Sequence, residues 1–299
     1  MMAMSSQTDL SESLSRLAES FDALGKKVGT KEARQSLESL NAAVTRAAAA
    51  FCGSWIGYHS RVYYAGLNPP PAGAHFSPEW GLMQMHFSQD TRGDWREYTF
   101  DDIYDALTKQ VDKPNIEDLI ALANQIDEKL TPLREELLSS LTALSESSVD
   151  SYVGKLLERA TNTRPITIND FISAVRPSGR FFSRDSVAVT NGQQTPPHIF
   201  LFAQISTVEL HLDLPKKLAS ITRQASSHLN RRQSAKQGAV AIGTKVFIGH
   251  SRSTAWRELK DFVQDRLDLE WDEFNLCLSQ ALRILRDYHK CSTTLVLRF

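Results

Sequence analysis

Apolar residues recur at intervals of three and four over most of the first 230 residues, which is the spacing of one face of an α-helix. The longest run covers residues 116–141. It follows Asn115, a residue suited to an N-cap, and it contains Pro132, where we expect a bend. Shorter helices are predicted over residues 152–159, 169–175 and 209–229. The spacing therefore predicts a mainly α N-terminal region, in which a mainly helical domain of residues 61–230 packs with residues 1–60.

Two apolar stripes in residues 1–60 predict a helical hairpin with its turn at residues 25–29. The stripes consist of Leu10, Leu14, Leu17, Phe21 and Leu24, and of Leu37, Leu40, Val44, Ala47, Phe51, Trp55 and Tyr58. Stripes of this kind pack on the rest of the same chain or join copies of it as a coiled coil. Internal packing is the simpler interpretation, and a homo-oligomer joined through these helices is the alternative.

Residues 55–82 are crowded with aromatic side chains and interrupted by three consecutive prolines, which predicts a packed irregular loop. In or beside this segment, His59, His75, His86 and Glu79 are candidates for lining a pocket. Core filling by the aromatic residues is the favoured interpretation, because large rings usually serve that purpose. No histidine pair has the spacing of a zinc-protease motif, so metal binding has little support.

Two short clusters further along are also candidates for function. One is the run of neighbours Ser183, Arg184 and Asp185, and the other is the stiff turn Pro196-Pro197-His198. An adjacent arginine and aspartate are more often a structural ion pair than a functional one. We therefore favour a structural role for the first cluster and leave the second open.

The composition sets few limits on partners. The chain has 41% hydrophobic and 23% charged residues and a formal net charge of -1, so no general attraction to nucleic acid is expected. Three scattered cysteines, without a CxxC pair, favour a reducing compartment and argue against zinc. The sequence contains no apolar run of membrane-spanning length and does not start like a leader peptide. We expect a cytoplasmic protein that does not contact a membrane.

A polar, basic stretch without periodicity follows residue 230, and we expect residues 231–243 to be a linker between domains. A short β-branched and aromatic run comes next and stops at Gly249, before the small polar residues Ser251 and Ser253 and a second amphipathic helix. A strand that feeds a helix through such a loop is the first unit of a doubly wound α/β fold. The loop and the start of the helix offer backbone N–H groups to a phosphate.

The run KVFIGHSRSTAWRELKDFVQDRLDLEWDEFN, residues 245–275, resembles the start of the bacterial TIR-like domains that are described as predicted nucleotide-binding proteins. The resemblance implies a flavodoxin-like α/β fold, a ligand such as NAD or a cyclic nucleotide, and a role in anti-phage defence that depends on assembly. It places Gly249, His250, Ser251 and Arg252 on the loop that borders the nucleotide. Together with the apolar stripes, it also favours a homo-oligomer through the N-terminal helices.

The tail after Asn275 departs from the family, because a second strand and a VAG-type loop are expected there. An offset reading frame permits such a continuation, so our hypothesis is a one-base frameshift near Asn275, which would make residues 276–299 an out-of-frame tail. A genuine divergent helix is the alternative, since Leu278, Ala281, Leu282 and Leu285 have helical spacing.

On the frameshift hypothesis, residues 244–275 are a partial TIR-like domain without the family's catalytic glutamate, which lies on a later helix. We therefore assign no catalytic residue and no resident cofactor, and we expect no NAD cleavage by this chain. The alternative function is that of a helical interaction or oligomerisation protein with no nucleotide ligand.

Overall fold

The computed structural model of the protein describes residues 2–83, 90–111, 114–147, 150–183, 185–241, 245–249, 256–266, 270–274 and 296–298. The described residues are mainly helical, as the apolar spacing predicts. The α-helices are α1 (Met2–Val28), α2 (Lys31–Ala49), α3 (Phe100–Thr108), α4 (Ile116–Ser147), α5 (Ser151–Asn162), α6 (Ile168–Val175), α7 (Ser186–Asn191), α8 (Pro197–Ala241) and α9 (Trp256–Asp265). The strands are β1 (Val62–Tyr64), β2 (Trp95–Glu97), β3 (Lys245–Gly249), β4 (Glu270–Phe274) and β5 (Val296–Arg298).

The chain divides into two compact units. One unit is Glu12–Ala225, and the other consists of Met1–Ser11 together with Ser226–Phe299. We refer to them as the helical unit and the sheet unit. None of the described helices combines the length and the apolar character that crossing a membrane requires.

The hairpin expected in residues 1–60 is present as α1 and α2. Thr30 is the N-cap of α2, and its hydroxyl accepts a hydrogen bond from the amide of Ala33 at 3.3 Å. The helix ends differ from the prediction: α1 continues past Gly25 through two lysines to Val28, and α2 ends at Ala49. Most stripe residues are buried within the single chain, namely Leu14, Leu17, Phe21, Leu24, Leu37, Leu40, Val44 and Ala47. The stripes therefore pack internally, and the surface that was expected to join copies is already covered.

The long helix expected over residues 116–141 is α4, and its cap is the one predicted. Asn115 and Asp118 exchange bonds: the Asp118 amide donates to the Asn115 side chain at 2.8 Å, and the Asn115 amide donates to the Asp118 carboxylate at 3.3 Å. Arg134 on α4 donates to the carbonyls of Thr161 and Thr163 at 2.8 and 3.0 Å. These bonds satisfy carbonyl groups at the C-terminal end of α5, which have no hydrogen-bond donor within the helix.

Helix α8 is longer at both ends than the expected residues 209–229. It starts at Pro197, because the first helical position has an N–H group without a helical partner and therefore tolerates proline. Residues 231–241 are helical, although an aperiodic linker was expected over 231–243. Arginine, glutamine, lysine and alanine there are good helix formers, and this local preference outweighs the missing apolar stripe.

The sheet unit contains a parallel three-stranded sheet with the order β4-β3-β5. Strand β3 lies in the middle: Gly249 aligns with Phe274 of β4 and with Arg298 of β5. The sequence predicted only one strand and one helix in the sheet unit, which are β3 and α9. Strands β4 and β5 were not predicted, so the expectation of a single strand was wrong. The tail of residues 276–299 contributes β5, which neither the frameshift hypothesis nor the helical alternative predicts, and residues 275–295 lie outside the described part of the chain.

Candidate functional site

The carboxyl end of β3 is the first candidate site. Gly249 is the last residue of this central strand, and α9 begins seven positions later at Trp256. The predicted neighbours His250, Ser251 and Arg252 lie between the two elements and outside the described residues. The structure thus places Gly249 at the strand end, as expected, and leaves the positions of the other three untested.

The order of the strands makes the carboxyl end of β3 a candidate ligand site. In open parallel sheets a ligand binds beyond the carboxyl ends of the strands, where the connections leave a central strand in opposite directions. Strand β3 has one later strand on each side, β4 and β5, so its carboxyl end is such a point. The backbone N–H groups in the first turn of α9 have no partner within the helix and suit a phosphate group.

The acidic residues near this edge lie on helix and strand. Glu258, Asp261 and Asp265 are on α9, and Glu270, Asp272 and Glu273 are on β4. In register, Glu273 aligns with Ile248, one residue before the end of β3. The remaining acid, Asp268, lies outside the described residues.

The aromatic segment of the helical unit forms a core, as the favoured interpretation predicts. The Tyr63 hydroxyl lies 2.8 Å from Nδ1 of His198, and both side chains are buried. Phe51 packs on both rings, with centroid distances of 5.2 Å to Tyr63 and 4.8 Å to His198. Burial lowers the pKa of His198 to about 4 and raises the pKa of Tyr63. The imidazole is therefore neutral at physiological pH, and the turn Pro196-Pro197-His198 serves to anchor α8.

Cys52 lies beside the same cluster and is held as a thiol. Its Sγ lies 2.7 Å from the carbonyl oxygen of His59, to which the thiol donates. Burial raises the pKa of Cys52 to about 11, so the reactive thiolate is scarce at neutral pH. Burial also lowers the pKa of His59. Cys52 is therefore unsuited to nucleophilic catalysis in this setting.

Asp185 has a structural role, which is the interpretation favoured from the sequence. One carboxylate oxygen accepts the amide of Val187 at 2.9 Å and caps α7. The other accepts the amide of Tyr58 at 3.0 Å and so ties the loop after Trp55 to α7. Ser183 accepts the amide of Asp185 at 3.1 Å, and Arg184 lies outside the described residues.

The remaining pocket candidates do not converge. His75 is exposed and is held through backbone bonds to Arg92, and Glu79 is also exposed. His86 lies outside the described residues. Within the described ranges, no group of three histidine, cysteine, aspartate or glutamate side chains is arranged to hold a metal ion.

Comparisons with protein-family models, curated proteins and solved structures found no match to this chain.

Proposed function

We propose that the sheet unit is a TIR-like, flavodoxin-like element that binds a nucleotide at the carboxyl end of β3. The observation that carries the proposal is the strand order β4-β3-β5, with the first strand of the unit in the middle. Among the described strands this is the 2-1-3 order with which flavodoxin-like sheets begin, and those sheets bind their ligand beside the carboxyl end of the first strand, where the strand order reverses. The residues of the resemblance, Gly249 to Arg252, begin at that strand end.

The ligand class follows from the chemistry that such an edge supplies. A glycine at the strand end lets a ligand approach the backbone closely, because no Cβ is in the way. Ser251 and Ser253, which the sequence predicts to lie in a loop, and the N–H groups at the start of α9 suit phosphate oxygens, and Arg252 adds a positive charge. We infer a nucleotide with at least one phosphate, either NAD or a cyclic nucleotide. By the resemblance, the biological setting is bacterial anti-phage defence by assembled copies of the protein.

A thermal-shift assay of the full chain with NAD, with a cyclic nucleotide and with adenosine tests the proposal. Binding to the folded state raises the melting temperature in a concentration-dependent way. We expect a rise with a phosphate-containing ligand, a smaller rise for Arg252→Ala, and an unchanged rise for Arg266→Ala. Arg266 is the matched control, because it is an exposed arginine that follows the C-terminal end of α9, away from the first turn of that helix.

The opposite outcome would favour the other function class. If no nucleotide changes the melting temperature while the protein assembles as its concentration rises, the chain is better described as a helical interaction protein. Equal losses of the shift in Arg252→Ala and Arg266→Ala would mean that binding follows general charge, and the proposed site would be wrong.

A further inference from the structure

The exposed segment between α6 and α7 has an unusual combination of side chains. Residues 176–183, which we name the arginine–phenylalanine loop, read RPSGRFFS. Phe182 is 92% exposed and Phe181 is 44% exposed, while Arg176 and Arg180 are both exposed. Phe182 is almost fully solvated, Phe181 is about half covered, and both rings lie next to two exposed guanidinium groups, so the loop offers apolar and charged surface to a partner.

The loop is held at both ends, so it presents these side chains from a fixed base. The Gln193 side chain donates to the carbonyl of Pro177 at 2.9 Å, and the amide of Asp185 donates to Ser183 at 3.1 Å. Helix α6 also ends with a bond from the Arg176 amide to the carbonyl of Ile172 at 2.9 Å. A preorganised loop loses less conformational entropy when it binds than a free segment does.

The charge of the loop is not balanced locally. Within the described residues, neither Arg176 nor Arg180 forms an ion pair, and residues 171–183 contain no acid. The flanking carboxylates already accept hydrogen bonds: Asp170 from the amide and hydroxyl of Thr167, and Asp185 from two amides. The loop is thus a local positive site on a chain whose net charge is close to zero.

We propose that the arginine–phenylalanine loop binds single-stranded nucleic acid. Unpaired bases stack on exposed aromatic rings, and the phosphates between them attract arginine, so one short loop supplies both partners that a single strand needs. The basic stretch at residues 231–237 differs, since it carries basic residues without aromatic ones. This inference is independent of the nucleotide proposed for the sheet unit.

Other anionic partners fit the loop less well. A duplex keeps its bases stacked inside, so two exposed rings gain little from it, whereas unpaired bases are free to stack. Stable attachment to an anionic bilayer takes a longer basic run or a larger inserted apolar surface than two arginines and two phenylalanines provide.

Fluorescence anisotropy with a labelled oligothymidylate and a labelled oligouridylate of about 20 nucleotides each tests the proposal in the full chain. We expect saturable binding to both at low salt, and binding about tenfold or more weaker for the double variant Phe181→Ala/Phe182→Ala. Log affinity falls linearly as log salt rises. In the variant Arg176→Gln/Arg180→Gln this fall should be less steep, by about 1.4 in the magnitude of the slope, because two phosphate contacts are lost.

Matched controls separate the loop from general surface effects. Met83→Ala removes an apolar side chain that is 75% exposed, and Lys129→Gln/Lys155→Gln removes two exposed charges on α4 and α5. Both controls should bind like the unchanged protein. The proposal is overturned if the oligonucleotides do not bind, if the phenylalanine variant binds like Met83→Ala, or if vesicles containing phosphatidylserine bind while the oligonucleotides do not.

Discussion

The hydroxyl of Tyr63 lies 2.8 Å from Nδ1 of His198, and the two rings meet edge-on at 90°. Tyr63 belongs to β1 and His198 to the first turn of α8, so this bond joins the aromatic segment to the longest of the described helices. Both side chains are buried, at 0% and 5% exposure, so the hydroxyl and the neutral imidazole share this hydrogen bond away from water. A proton on His198 would place a charge in this buried setting, at the cost of its desolvation.

This pair predicts a loss of stability in acid. His198 has a pKa of about 4 in the folded chain, against 6.5 for an unperturbed histidine. Above pH 6.5 the imidazole of His198 is neutral in both the folded and the unfolded state, so its titration does not change the free energy of unfolding there. As the pH falls from 6.5 to about 4, the unfolded state takes up a proton that the folded state excludes. At the lower end of this range, this difference has reduced the free energy of unfolding by about 3 kcal/mol.

Urea unfolding of the chain and of His198→Gln at several pH values checks this prediction. The variant should be less stable near neutral pH but should lose less stability than the unchanged protein between pH 6.5 and about 4. His75→Gln, a change at an exposed histidine, is the control. Parallel curves for His198→Gln and the unchanged protein would show that His198 does not carry the acid sensitivity.

An alanine at Gly57 would collide with Asp185, and the same change at Gly53 measures the backbone strain without a collision. Gly57 has φ +60 and is buried, and a Cβ at this position would meet the carboxylate of Asp185. Gly53 has φ +84 and open space around the same position. We expect Gly53→Ala to cost about 1 kcal/mol of backbone strain, and Gly57→Ala to cost several kcal/mol because the bonds of Asp185 are also disturbed. Equal changes in urea midpoint would mean that the Asp185 contact has no energetic weight.

Leu14 tests whether the N-terminal stripe packs internally. Its side chain is buried in the single chain, so Leu14→Ala should lower the unfolding free energy by about 2–5 kcal/mol and leave the mass measured by light scattering unchanged. The exposed Glu19→Ala on the same helix should change neither property. A lower mass without a loss of stability would instead place the stripe in an interface between copies.

The periodic helices could be predicted because their signals are local. The reciprocal bonds of Asn115 and Asp118 and the buried Leu14 and Leu37 follow from residue type and spacing alone. The pairing of Tyr63 with His198 could not be predicted, since the two residues are 135 positions apart and no local pattern links them.

The strands of the sheet unit show the same limit. The run EWDEF in β4 has three acids among its five residues, and this charge hides the signal of a strand that lies beside β3. Residues 231–241 show the reverse error, because polarity suggested a linker while helix propensity decided the structure. In the candidate site, Gly249 was predicted from a local change in residue type, whereas its neighbours Phe274 and Arg298 depend on pairing between distant segments.

The positions of the acids predict that the chain does not consume NAD. Cleavage of the glycosidic bond passes through a cation-like transition state, which needs a carboxylate beside the reacting sugar. The described acids of the resembling segment lie on α9 and β4, and Glu273 aligns with Ile248, before the end of β3. We expect no NAD loss in an assay of the purified protein. If the purified protein consumes NAD, the prediction is wrong, and loss of turnover in Glu273→Gln but not in Glu258→Gln would identify Glu273 as the carboxylate beside the sugar.

The central claim is nucleotide binding at the end of β3, and the amide resonance of Gly249 tests it most directly. In an isotope-labelled protein titrated with NAD or with a cyclic nucleotide, we predict a saturable shift of the amides from Gly249 to Arg252. The amides of Gly53 and Gly192, two glycines of the helical unit, should not shift. If the amide of Gly249 keeps its position at millimolar ligand, or shifts no more than those of Gly53 and Gly192, the account of the site is contradicted.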